Sequence, residues 1–582
     1  MLMVRTRCWV PGVCGLLPVM AVFPDDVPVL TDGVVTLRAH CESDLPRIVQ
    51  FAGDPRSTAY VPLPSPYGRG QAREFFDTVR AKWESGTGGA WAIEVEGRWA
   101  GSINLIPRAP GTAELGYGAH PDVRGRGVVT AAARLLVAHG FDTLGLRTLV
   151  WRAARGNWAS RRVAWSLGFT LDGMWPATHH APGGGATGTW FGHLHASEPR
   201  EPRLPWREPA VLDGGRIGLR PWTEADVPDE PLDRPLSRFM LGTAPAADGF
   251  DEWLLDRRER MAGGEAIVWC IADTSTGRAL GGIQLFRMHL PMLRGSAMLA
   301  YWLQPSARGN GHLSAALDLV VAHAFAPVDR GGLGLRRIGA HVDVENLASQ
   351  RVLRTGGFRS LGTVTGLPVY DDGSVSDETE FELLATDDRD AQRRSAVPLP
   401  TLHTDRLVLR GWGERDAPAE EPAPDAQAAA SMGIEPRPPA ASYRRWLVHE
   451  RCEDLKGDSV RWCITDRETQ RPLGSISVRG LGGPLRSGTV GYWLYDDSRG
   501  RGIAGEALKA VVAHAFSPDG LDLLRLDAAT VDGNHASMLT LAAAGFRQYG
   551  QDHGSFTAFD GSTTDTAYFE LLATEHRGEE TP

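Results

Sequence analysis

The stretch Asp497–Phe516, DSRGRGIAGEALKAVVAHAF, decides the fold of its part of the chain. It places a basic, glycine-containing turn directly before a run of small and apolar residues. Four apolar residues of that run are spaced i, i+3, i+4 and i+7, which predicts the buried face of an amphipathic helix (Leu508, Val511, Val512 and Ala515). We therefore expect the turn to open a helix that packs on a sheet.

The same stretch occurs twice more, as DVRGRGVVTAAARLLVAHGF at 122–141 and SARGNGHLSAALDLVVAHAF at 306–325. Each copy follows strand-like runs and a strand with a tyrosine, and each precedes an N-x-x-S and a Gly-Phe pair. The asparagines of that motif lie 189 and 188 positions apart (Asn157, Asn346 and Asn534). Because the period is this long, it predicts three complete domains, not the short units of a solenoid.

Within each copy strands precede and follow helices, so the predicted class is α/β (α+β) with a mixed sheet. Proline- and arginine-rich segments predict exposed linkers between the copies. The predicted boundaries are a tail at 1–27, domain 1 at 28–198, a linker at 199–208, domain 2 at 209–388, a linker at 389–400, domain 3 at 401–576 and a tail at 577–582.

The amino-terminal segment has basic residues followed by an apolar stretch, as a signal peptide does. Pro11 and Pro18 interrupt that stretch, and Met20 is an alternative start, so we favour a tail or a start-site artefact. The six cysteines form no C-x-x-C pair, which argues against a disulfide framework or zinc site and favours a cytoplasmic location. Cys270 and Cys463 lie in apolar strand-like runs and are expected in the core.

The composition is that of a folded globular protein: of 582 residues, 42% are hydrophobic and 23% charged. The formal net charge of −10 argues against a general binder of nucleic acid or anionic membrane. We therefore expect neither partner.

The glycine turn has the chemistry of an anion site. A helix amino terminus presents unpaired backbone N–H groups and the positive end of the helix dipole, and glycines let an anion approach them. No GK[ST] follows, which excludes a Walker loop, and the third glycine of a dinucleotide fingerprint is missing. The pattern predicts a phosphate cradle.

The motif R-G-x-G-x-A, followed by a helix, a strand, N-x-x-S and G-F, resembles the GNAT superfamily of acyl-CoA-dependent N-acetyltransferases, in particular the branch that acetylates the amino-terminal alanine of ribosomal proteins. The resemblance implies three tandem domains, each a mixed, mostly antiparallel sheet flanked by helices with a splayed fourth strand. It implies acetyl-CoA as co-substrate, with its pyrophosphate on the turn and its pantetheine arm along the fourth strand.

The resemblance also implies which residues bind acetyl-CoA, domain by domain. In domain 1 these are the turn, the second helix residue and the motif asparagine (Arg124, Gly125, Arg126, Gly127, Val129 and Asn157). In domain 3 they are the matching residues (Arg499, Gly500, Arg501, Gly502, Ala504 and Asn534). Domain 2 has His312 and Leu313 after its turn, where the family usually has a small residue, and we expect it to be degenerate.

The implied reaction is direct attack of a primary amine on the thioester. Aligning the copies on Tyr117 places Glu114 where the others have Met298 and Thr489, so Glu114 is the candidate base; an exposed strand glutamate is the alternative. No equally good base is visible in domain 3.

Candidate acids for the leaving thiolate are Ser160, Ser537 and Tyr492. Each has a structural alternative, because a serine near a helix start is a routine cap and a buried tyrosine commonly makes a structural hydrogen bond. The motif asparagines are likewise either cofactor contacts or caps.

Other clusters point less clearly to chemistry. His193 and His195, with His179 and His180, have no fixed third ligand, so no metal site is predicted. The histidine of V-A-H-x-F recurs in all copies, which favours packing over catalysis (His139, His323 and His514).

Two other functions stay open at this point. The chain could bind acyl-CoA without turnover, as a regulatory or scaffold protein. It could also transfer from another donor, a longer acyl-CoA or an aminoacyl-tRNA, although the acidic balance argues against tRNA. Neither the amine acceptor nor the oligomeric state is predicted by the sequence.

Overall fold

A computed structural model describes residues 23, 26–61, 63–180, 186–231, 233, 239, 244–370, 373–394, 399–423, 425, 428, 436–455, 457–557 and 561–576. The tails at 1–22 and 577–582 lie outside these residues, and so does the predicted choice between the two start sites. The chain forms two compact units, Met1–Pro205 and Trp206–Pro582. The first contains one eight-stranded sheet and the second contains two.

The first unit holds domain 1. Its strands are β1 (Leu30–Thr31), β2 (Thr36–Arg38), β3 (Gly89–Val95), β4 (Arg98–Ala109), β5 (Thr112–Ala119), β6 (Thr148–Ala154), β7 (Thr170–His180) and β8 (Ala186–His195). Its helices are α1 (Leu45–Gly53), α2 (Pro55–Thr58), α3 (Arg69–Glu84), α4 (Val128–Ala138) and α5 (Trp158–Ser166).

The second unit begins with domain 2. Its strands are β9 (Leu212–Asp213), β10 (Ile217–Arg220), β11 (Ile267–Asp273), β12 (Ala279–Phe286), β13 (Ser296–Leu303), β14 (Arg337–Asp343), β15 (Arg359–Val364) and β16 (Glu378–Leu384). Its helices are α6 (Phe250–Ala262), α7 (His312–Phe325), α8 (Leu347–Thr355) and α9 (Arg389–Arg394).

Domain 3 completes the second unit. Its strands are β17 (Leu402–His403), β18 (Leu407–Arg410), β19 (Ser459–Asp466), β20 (Pro472–Arg479), β21 (Ser487–Leu494), β22 (Arg525–Val531), β23 (Arg547–Thr557) and β24 (Thr563–Leu572). Its helices are α10 (Tyr443–Leu455), α11 (Ile503–Phe516), α12 (His535–Ala543) and α13 (Ala573–His576).

The three sheets share one topology. The first runs β1-β2-β3-β4-β5-β6-β8-β7, and the other two have the same order of equivalent strands. Every neighbouring pair is antiparallel except the fifth and sixth strands of each sheet, which are parallel (β5–β6, β13–β14 and β21–β22). The predicted class, a mixed and mostly antiparallel sheet with flanking helices in three tandem copies, is confirmed.

Each core lies between the sheet and the helix that follows the glycine turn. In domain 3 the four residues predicted to form the apolar helix face are at most 1% exposed (Leu508, Val511, Val512 and Ala515). A tryptophan from the third strand is buried beneath the helix, and the recurrent histidine meets its ring edge-on, at 5.9–6.0 Å (Trp91–His139, Trp269–His323 and Trp462–His514). Packing, the favoured role of these histidines, is what the structure shows.

The opening L-R phrase of each copy is explained by an ion pair. The arginine that ends the second strand binds both oxygens of an aspartate six residues later, at 2.7–2.9 Å (Arg38–Asp44, Arg220–Asp226 and Arg410–Asp416). Such bidentate pairs fix geometry as well as adding energy. The pair anchors the chain where it leaves the sheet towards the helices of the opposite face.

One predicted linker is structured at its start. Residues from 389 were expected to be exposed, but Arg389–Arg394 form α9. Arg389 donates to the carbonyl of Gly356 at 2.7 Å and to Asp318 at 2.6 Å, which docks the helix on domain 2. Across the described part of the chain, no helix is both long and apolar enough to cross a membrane.

Candidate functional site

The three glycine turns have the same backbone. Both glycines of each turn are left-handed, with φ between +70° and +77° (Gly125, Gly127; Gly309, Gly311; Gly500, Gly502). The second glycine caps the helix. Its carbonyl accepts the first intrahelical hydrogen bond, which the N–H four residues later donates; Ala131 N–H donates to the Gly127 carbonyl at 3.0 Å. The amides between them have no intrahelical acceptor and are available to an anion.

The space in front of the turns is open. A Cβ built on Gly125, Gly127 or Gly500 meets no atom within 4 Å, and one on Gly502 meets only the Arg406 guanidinium at 3.6 Å. The glycines are therefore required by their left-handed backbone and by what approaches from outside, since no neighbouring protein atom crowds them.

The two arginines of each turn differ in their surroundings. The first is tied to an aspartate of the preceding segment in every domain (Arg124–Asp54, Arg308–Asp233 and Arg499–Asp425). The side chain of the first arginine therefore positions the turn. The second arginine, Arg126 or Arg501, is exposed, and domain 2 has Asn310 there.

The strand that the family resemblance counts as the fourth is the fifth strand of each sheet here (β5, β13 and β21), and it splays in all three domains. In domain 1, β5 pairs with β6 at three positions only and both strands then continue unpaired with one another; Glu114 and Val150 are the last pair. The last pairs of the other domains are Met298–Gly339 and Thr489–Asp527. Beyond these positions the sheet has a V-shaped opening, and the strand edges that face it present unpaired backbone groups.

Glu114 stands at the vertex of the first V. Its side chain is 13% exposed, and both Arg108 and Arg152 contact the same oxygen, Oε2, the latter at 2.7 Å. Among the described residues none hydrogen-bonds Oε1. The carboxylate is therefore held in place through Oε2, while Oε1 has no hydrogen bond from the described part of the chain.

Domain 3 has a carboxylate at the same vertex that the sequence comparison missed. Asp527 pairs directly with Thr489, so both side chains lie on the same face of the sheet. Arg525 binds Oδ1 of Asp527 at 2.9 and 2.6 Å, and no described residue hydrogen-bonds Oδ2. This carboxylate is on β22, whereas Glu114 is on β5, so aligning β5, β13 and β21 alone could not find it; the pairing of RLDAAT with GTVGYW could.

The candidate acids form a fixed pair in every domain. The tyrosine hydroxyl contacts the hydroxyl and the carbonyl of the motif serine, at 2.8–3.3 Å (Tyr117–Ser160, Tyr301–Ser349 and Tyr492–Ser537). In domain 1 the Trp151 indole N–H also donates to Ser160 Oγ at 3.1 Å. Burial raises the pKa of Tyr117 and Tyr492. These hydroxyls already bond each other, so a role as acid stays a prediction.

The motif asparagines are helix caps. Each side-chain oxygen accepts the backbone N–H of the motif serine at 3.2–3.3 Å (Asn157, Asn346 and Asn534). Their Nδ2 groups have no hydrogen bond to any described residue. The caps use only the side-chain oxygens of these asparagines, so contact between Nδ2 and a cofactor stays a prediction.

The residues after the turn differ in size, as predicted from sequence. Val129, Leu313 and Ala504 hold the second helix position and are half-buried. Leu313 packs against the core of domain 2. Since the turn of domain 2 has the same backbone as the others, the side chains of Asn310, His312 and Leu313 distinguish its cradle.

A second difference lies on the sheet face opposite the core. Domains 2 and 3 share three tryptophans there: Trp222 is 5.1 Å from Trp253 and 5.9 Å from Trp302, and Trp412 is 5.2 Å from Trp446 and 6.2 Å from Trp493. The two domains differ beside these rings, where domain 2 has Val268 and Gly282 and domain 3 has Arg461 and Ser475. In domain 2 a cavity of only about 10 Å³ lies beside Trp253 and Trp302.

Domain 3 has an open cleft on the equivalent face. It measures about 530 Å³ and is lined by strand residues and by α10 (Ser459, Arg461, Ser475, Arg479, Trp493, Trp446, His449, Glu450, Glu453 and others). Arg479 pairs with Thr489, and Trp493 lies on the same face of β21 as Thr489. The cleft therefore lies over β19, β20 and Trp493 of β21 and reaches Arg479, the residue opposite Thr489, while Thr489 and Asp527 themselves do not line it. Hereafter it is the inner cleft.

The remaining sequence candidates do not join these sites. Cys270 and Cys463 are fully buried, and burial raises the pKa of the Cys270 thiol to about 12. His193 binds Asp172 at 2.7 Å, and His195 is 3.0 Å from the Thr148 hydroxyl. Over the described residues, no three histidine, cysteine or acidic side chains are grouped to hold a metal ion.

Comparison with known proteins gives one family. The model of the "Acetyltransferase (GNAT) domain" matches residues 35–170, 216–359 and 406–547, well over half of the chain. "Uncharacterized N-acetyltransferase YoaA" of Bacillus subtilis (strain 168) is 28% identical over 152 residues, 26% of this chain and 85% of that protein. "Uncharacterized N-acetyltransferase p20" of Bacillus licheniformis is 25% identical over 181 residues, 31% of this chain and 100% of that protein.

Solved structures match single domains of the chain. "Mycobacterium smegmatis RimJ in complex with CoA-disulfide" is 20% identical with a TM-score of 0.29, and the match covers 31% of this chain and 93% of that one.

Proposed function

The chain belongs to the GNAT acetyltransferase family, and on that premise we propose that domains 1 and 3 each transfer an acetyl group from acetyl-CoA to a primary amine. The observation that carries the proposal is a vertex carboxylate with one free oxygen, Glu114 Oε1 or Asp527 Oδ2, beside a splayed strand and an open glycine turn.

The turn is the proposed site of the pyrophosphate. The amides after Gly127 and Gly502 point out of the helix amino terminus, and the exposed Arg126 and Arg501 add positive charge. Val129 and Ala504 leave the first helical turn accessible in domains 1 and 3. We assign no such role to domain 2, because larger side chains follow its turn.

The V is the proposed site of the pantetheine arm. The two amide groups of the pantetheine arm need hydrogen-bond partners. The edges of β5 and β21 beyond the vertex offer unpaired backbone groups, as in β-strand addition. The motif asparagines add a free Nδ2 on the other side of each opening. This arrangement brings the thioester to the vertex.

The vertex carboxylate is the proposed general base. The amine nitrogen attacks the thioester carbonyl carbon, the C–S bond breaks, and the amine proton passes to the carboxylate, directly or through water. The products are an amide and the CoA thiolate, which is then protonated. Ser160 in domain 1, and Ser537 or Tyr492 in domain 3, are the nearest candidate proton donors.

Calorimetric titration with acetyl-CoA tests the cofactor part of this proposal. Gly127→Trp and Gly502→Trp should each remove one binding event, because a bulky side chain in a left-handed position strains the turn and enters the cradle. Gly311→Trp is the matched control in domain 2 and should leave binding unchanged. An intact chain that binds no acetyl-CoA would end the proposal.

A screen of primary amines, followed by the release of free CoA, tests the transfer itself. Turnover should require an amine and should fall when either vertex carboxylate is replaced. Binding without turnover on any amine would favour the regulatory, acyl-CoA-sensing alternative.

A further inference from the structure

Domains 2 and 3 contact one another next to the inner cleft. The α10 helix of domain 3 packs against α8 of domain 2. Arg444 binds Glu345 across this contact, Nη2 to Oε2, at 3.3 Å. Arg354 of domain 2 is only 8% exposed, and a favourable charge interaction reaches it from Asp458, which lines the inner cleft.

A second cleft lies at this contact and measures about 1410 Å³; we call it the outer cleft. Domain 3 lines one side of it with residues from 439 to 453. Domain 2 lines the other side (Val344, Glu345, Thr363, Thr365, Val375, Ser376 and Asp377).

The two clefts are neighbours on one helix. Trp446, His449 and Glu453 of α10 line both of them. An acceptor that reaches the domain 3 vertex through the inner cleft therefore has the outer cleft, and with it domain 2, behind it.

The lining of both clefts describes what they fit. Each contains carboxylates and arginines, with Glu450 and Arg461 in the inner cleft and Asp377 and Arg445 in the outer one. Small-molecule pockets are mostly apolar and measure about 300–1,000 Å³, so the outer cleft is larger and more polar than such a pocket.

We propose that domain 2 forms the outer wall of the acceptor site of domain 3, and that the acceptor is an amine on a polar body long enough to occupy both clefts. The inference rests on the acetyl transfer proposed above. It gives a role to domain 2, whose vertex has Met298 and Gly339 and no carboxylate: domain 2 binds the acceptor of its neighbour and does not itself transfer.

A photo-crosslinking probe tests the proposal on the full-length chain. The probe is CoA whose sulfur carries an acetyl carbon joined to the amine of a four-residue glycine-serine linker, with a benzophenone at the far end. Four extended residues span roughly 13 Å. Mass spectrometry should find adducts on domain 2, at or next to Thr363, Thr365, Val375 or Ser376.

The controls assign the adducts to the domain 3 site. They should disappear with excess free CoA and in Gly502→Trp, and persist in Gly127→Trp. Adducts that persist in Gly502→Trp would overturn the proposal. So would a bound probe that labels domain 3 alone, which would leave the proposed function intact. A probe that does not bind contradicts the proposed function itself, and this inference falls with it.

A substitution that fills the outer cleft gives a second readout. Thr363→Trp should reduce the affinity for this probe and leave the affinity for free CoA unchanged. Met292→Trp, at an exposed position of domain 2 that lines neither cleft, is the matched control. Equal affinity of both variants for the probe would count against the outer wall.

Discussion

At the scale of single residues, the three domains differ in the residues at the vertex of the V. Domain 1 has Glu114 there on β5, domain 3 has Asp527 on β22, and domain 2 has Met298 and Gly339. In both carboxylates the arginine partners contact one oxygen and leave the other. A carboxylate from either of the two strands therefore lies at the same place in the sheet.

Replacing Asp527 tests its assignment as base. Asp527→Asn should lower the kcat of domain 3 by about 10²- to 10⁴-fold, the usual contribution of general base catalysis, and leave acetyl-CoA binding unchanged. The rate is measured in a Gly127→Trp background, which silences domain 1. Asp519→Asn, on an exposed turn, is the matched control. An unchanged kcat would show that another group takes the proton.

The tyrosine–serine pairs give a prediction with an internal control. Tyr492→Phe and Tyr301→Phe each remove equivalent hydrogen bonds, and each should destabilise its own domain by about 1 kcal/mol, measured by hydrogen exchange. Because domain 2 has no vertex carboxylate, only Tyr492→Phe can change turnover. Tyr301→Phe shows how much stability is lost with these hydrogen bonds. A fall in the kcat of Tyr492→Phe that this loss of stability does not explain would identify Tyr492 as the acid.

Sequence reasoning reached these residues unevenly. Glu114 was found because a shared tyrosine aligned β5 with β13 and β21. Asp527 was missed because its position depends on which residues of two strands are opposite one another, and pairing register is a property of the folded sheet. The motif asparagines were predicted as caps or cofactor contacts, and the structure shows the cap.

At the scale of elements, the glycine turn of domain 2 has the same backbone as the other two turns but is followed by the larger side chains of His312 and Leu313, which we expect to exclude the cofactor. Leu313→Ala combined with His312→Val should therefore raise the number of acetyl-CoA molecules bound per chain from two to three. Calorimetric stoichiometry measures this. Val128→Ala with Val129→Ala, in domain 1, is the control and should leave the number unchanged. A stoichiometry that stays at two would mean that the second V also excludes the cofactor.

The arginine–aspartate pair at the end of the second strand predicts an acid sensitivity. Burial of Asp44 raises its pKa, but the bonds from Arg38 and the Cys41 amide outweigh this, so the folded pKa lies below the ordinary value. The pair's stabilisation is therefore complete above about pH 4 and is lost as the pH falls further.

Asp44→Asn should remove that part of the acid response. The variant should be less stable by about 1–3 kcal/mol at neutral pH, and its stability should fall less than that of the wild type between pH 5 and pH 2. Hydrogen exchange of the domain 1 amides resolves this. An acid slope equal to that of the wild type would contradict the assignment.

Elements were predicted better than single residues. The turn, the amphipathic helix and the strand before it recur three times, so each copy supported the interpretation of the others. The α9 helix was not predicted, because its arginine-rich sequence is typical of a charged linker. In the folded chain Arg389 contacts Asp318 and the Gly356 carbonyl. Contacts between distant parts of the sequence decide such segments.

At the scale of the whole molecule, two candidate centres share one chain. Their proposed bases, Glu114 and Asp527, belong to separate sheets with separate cores, so the rates of the two domains should add. Glu114→Gln and Asp527→Asn should each leave the turnover of the other domain, and the double variant should lose both. Activity is measured as CoA release with an accepted amine. A single substitution that abolishes all turnover would show that the domains do not act independently.

The aromatic clusters and the outer cleft were beyond sequence reasoning. Trp222, Trp253 and Trp302 come from three segments, and nothing in their spacing shows that they meet. His312 and Leu313 are a reason, visible in the sequence, to doubt cofactor binding in domain 2, and the structure adds a vertex without a carboxylate. The composite cleft depends on how two folded domains pack.

The face of domain 2 opposite its core has an evolutionary consequence. Domains 2 and 3 keep the same three tryptophans there, but Val268 and Gly282 of domain 2 stand where domain 3 has Arg461 and Ser475. Polar groups that are kept for function commonly oppose stability, so a repeat without turnover of its own can lose them. With domain 2 as the proposed outer wall, selection for new acceptors is expected to act on the loops of domain 2 as well as on domain 3.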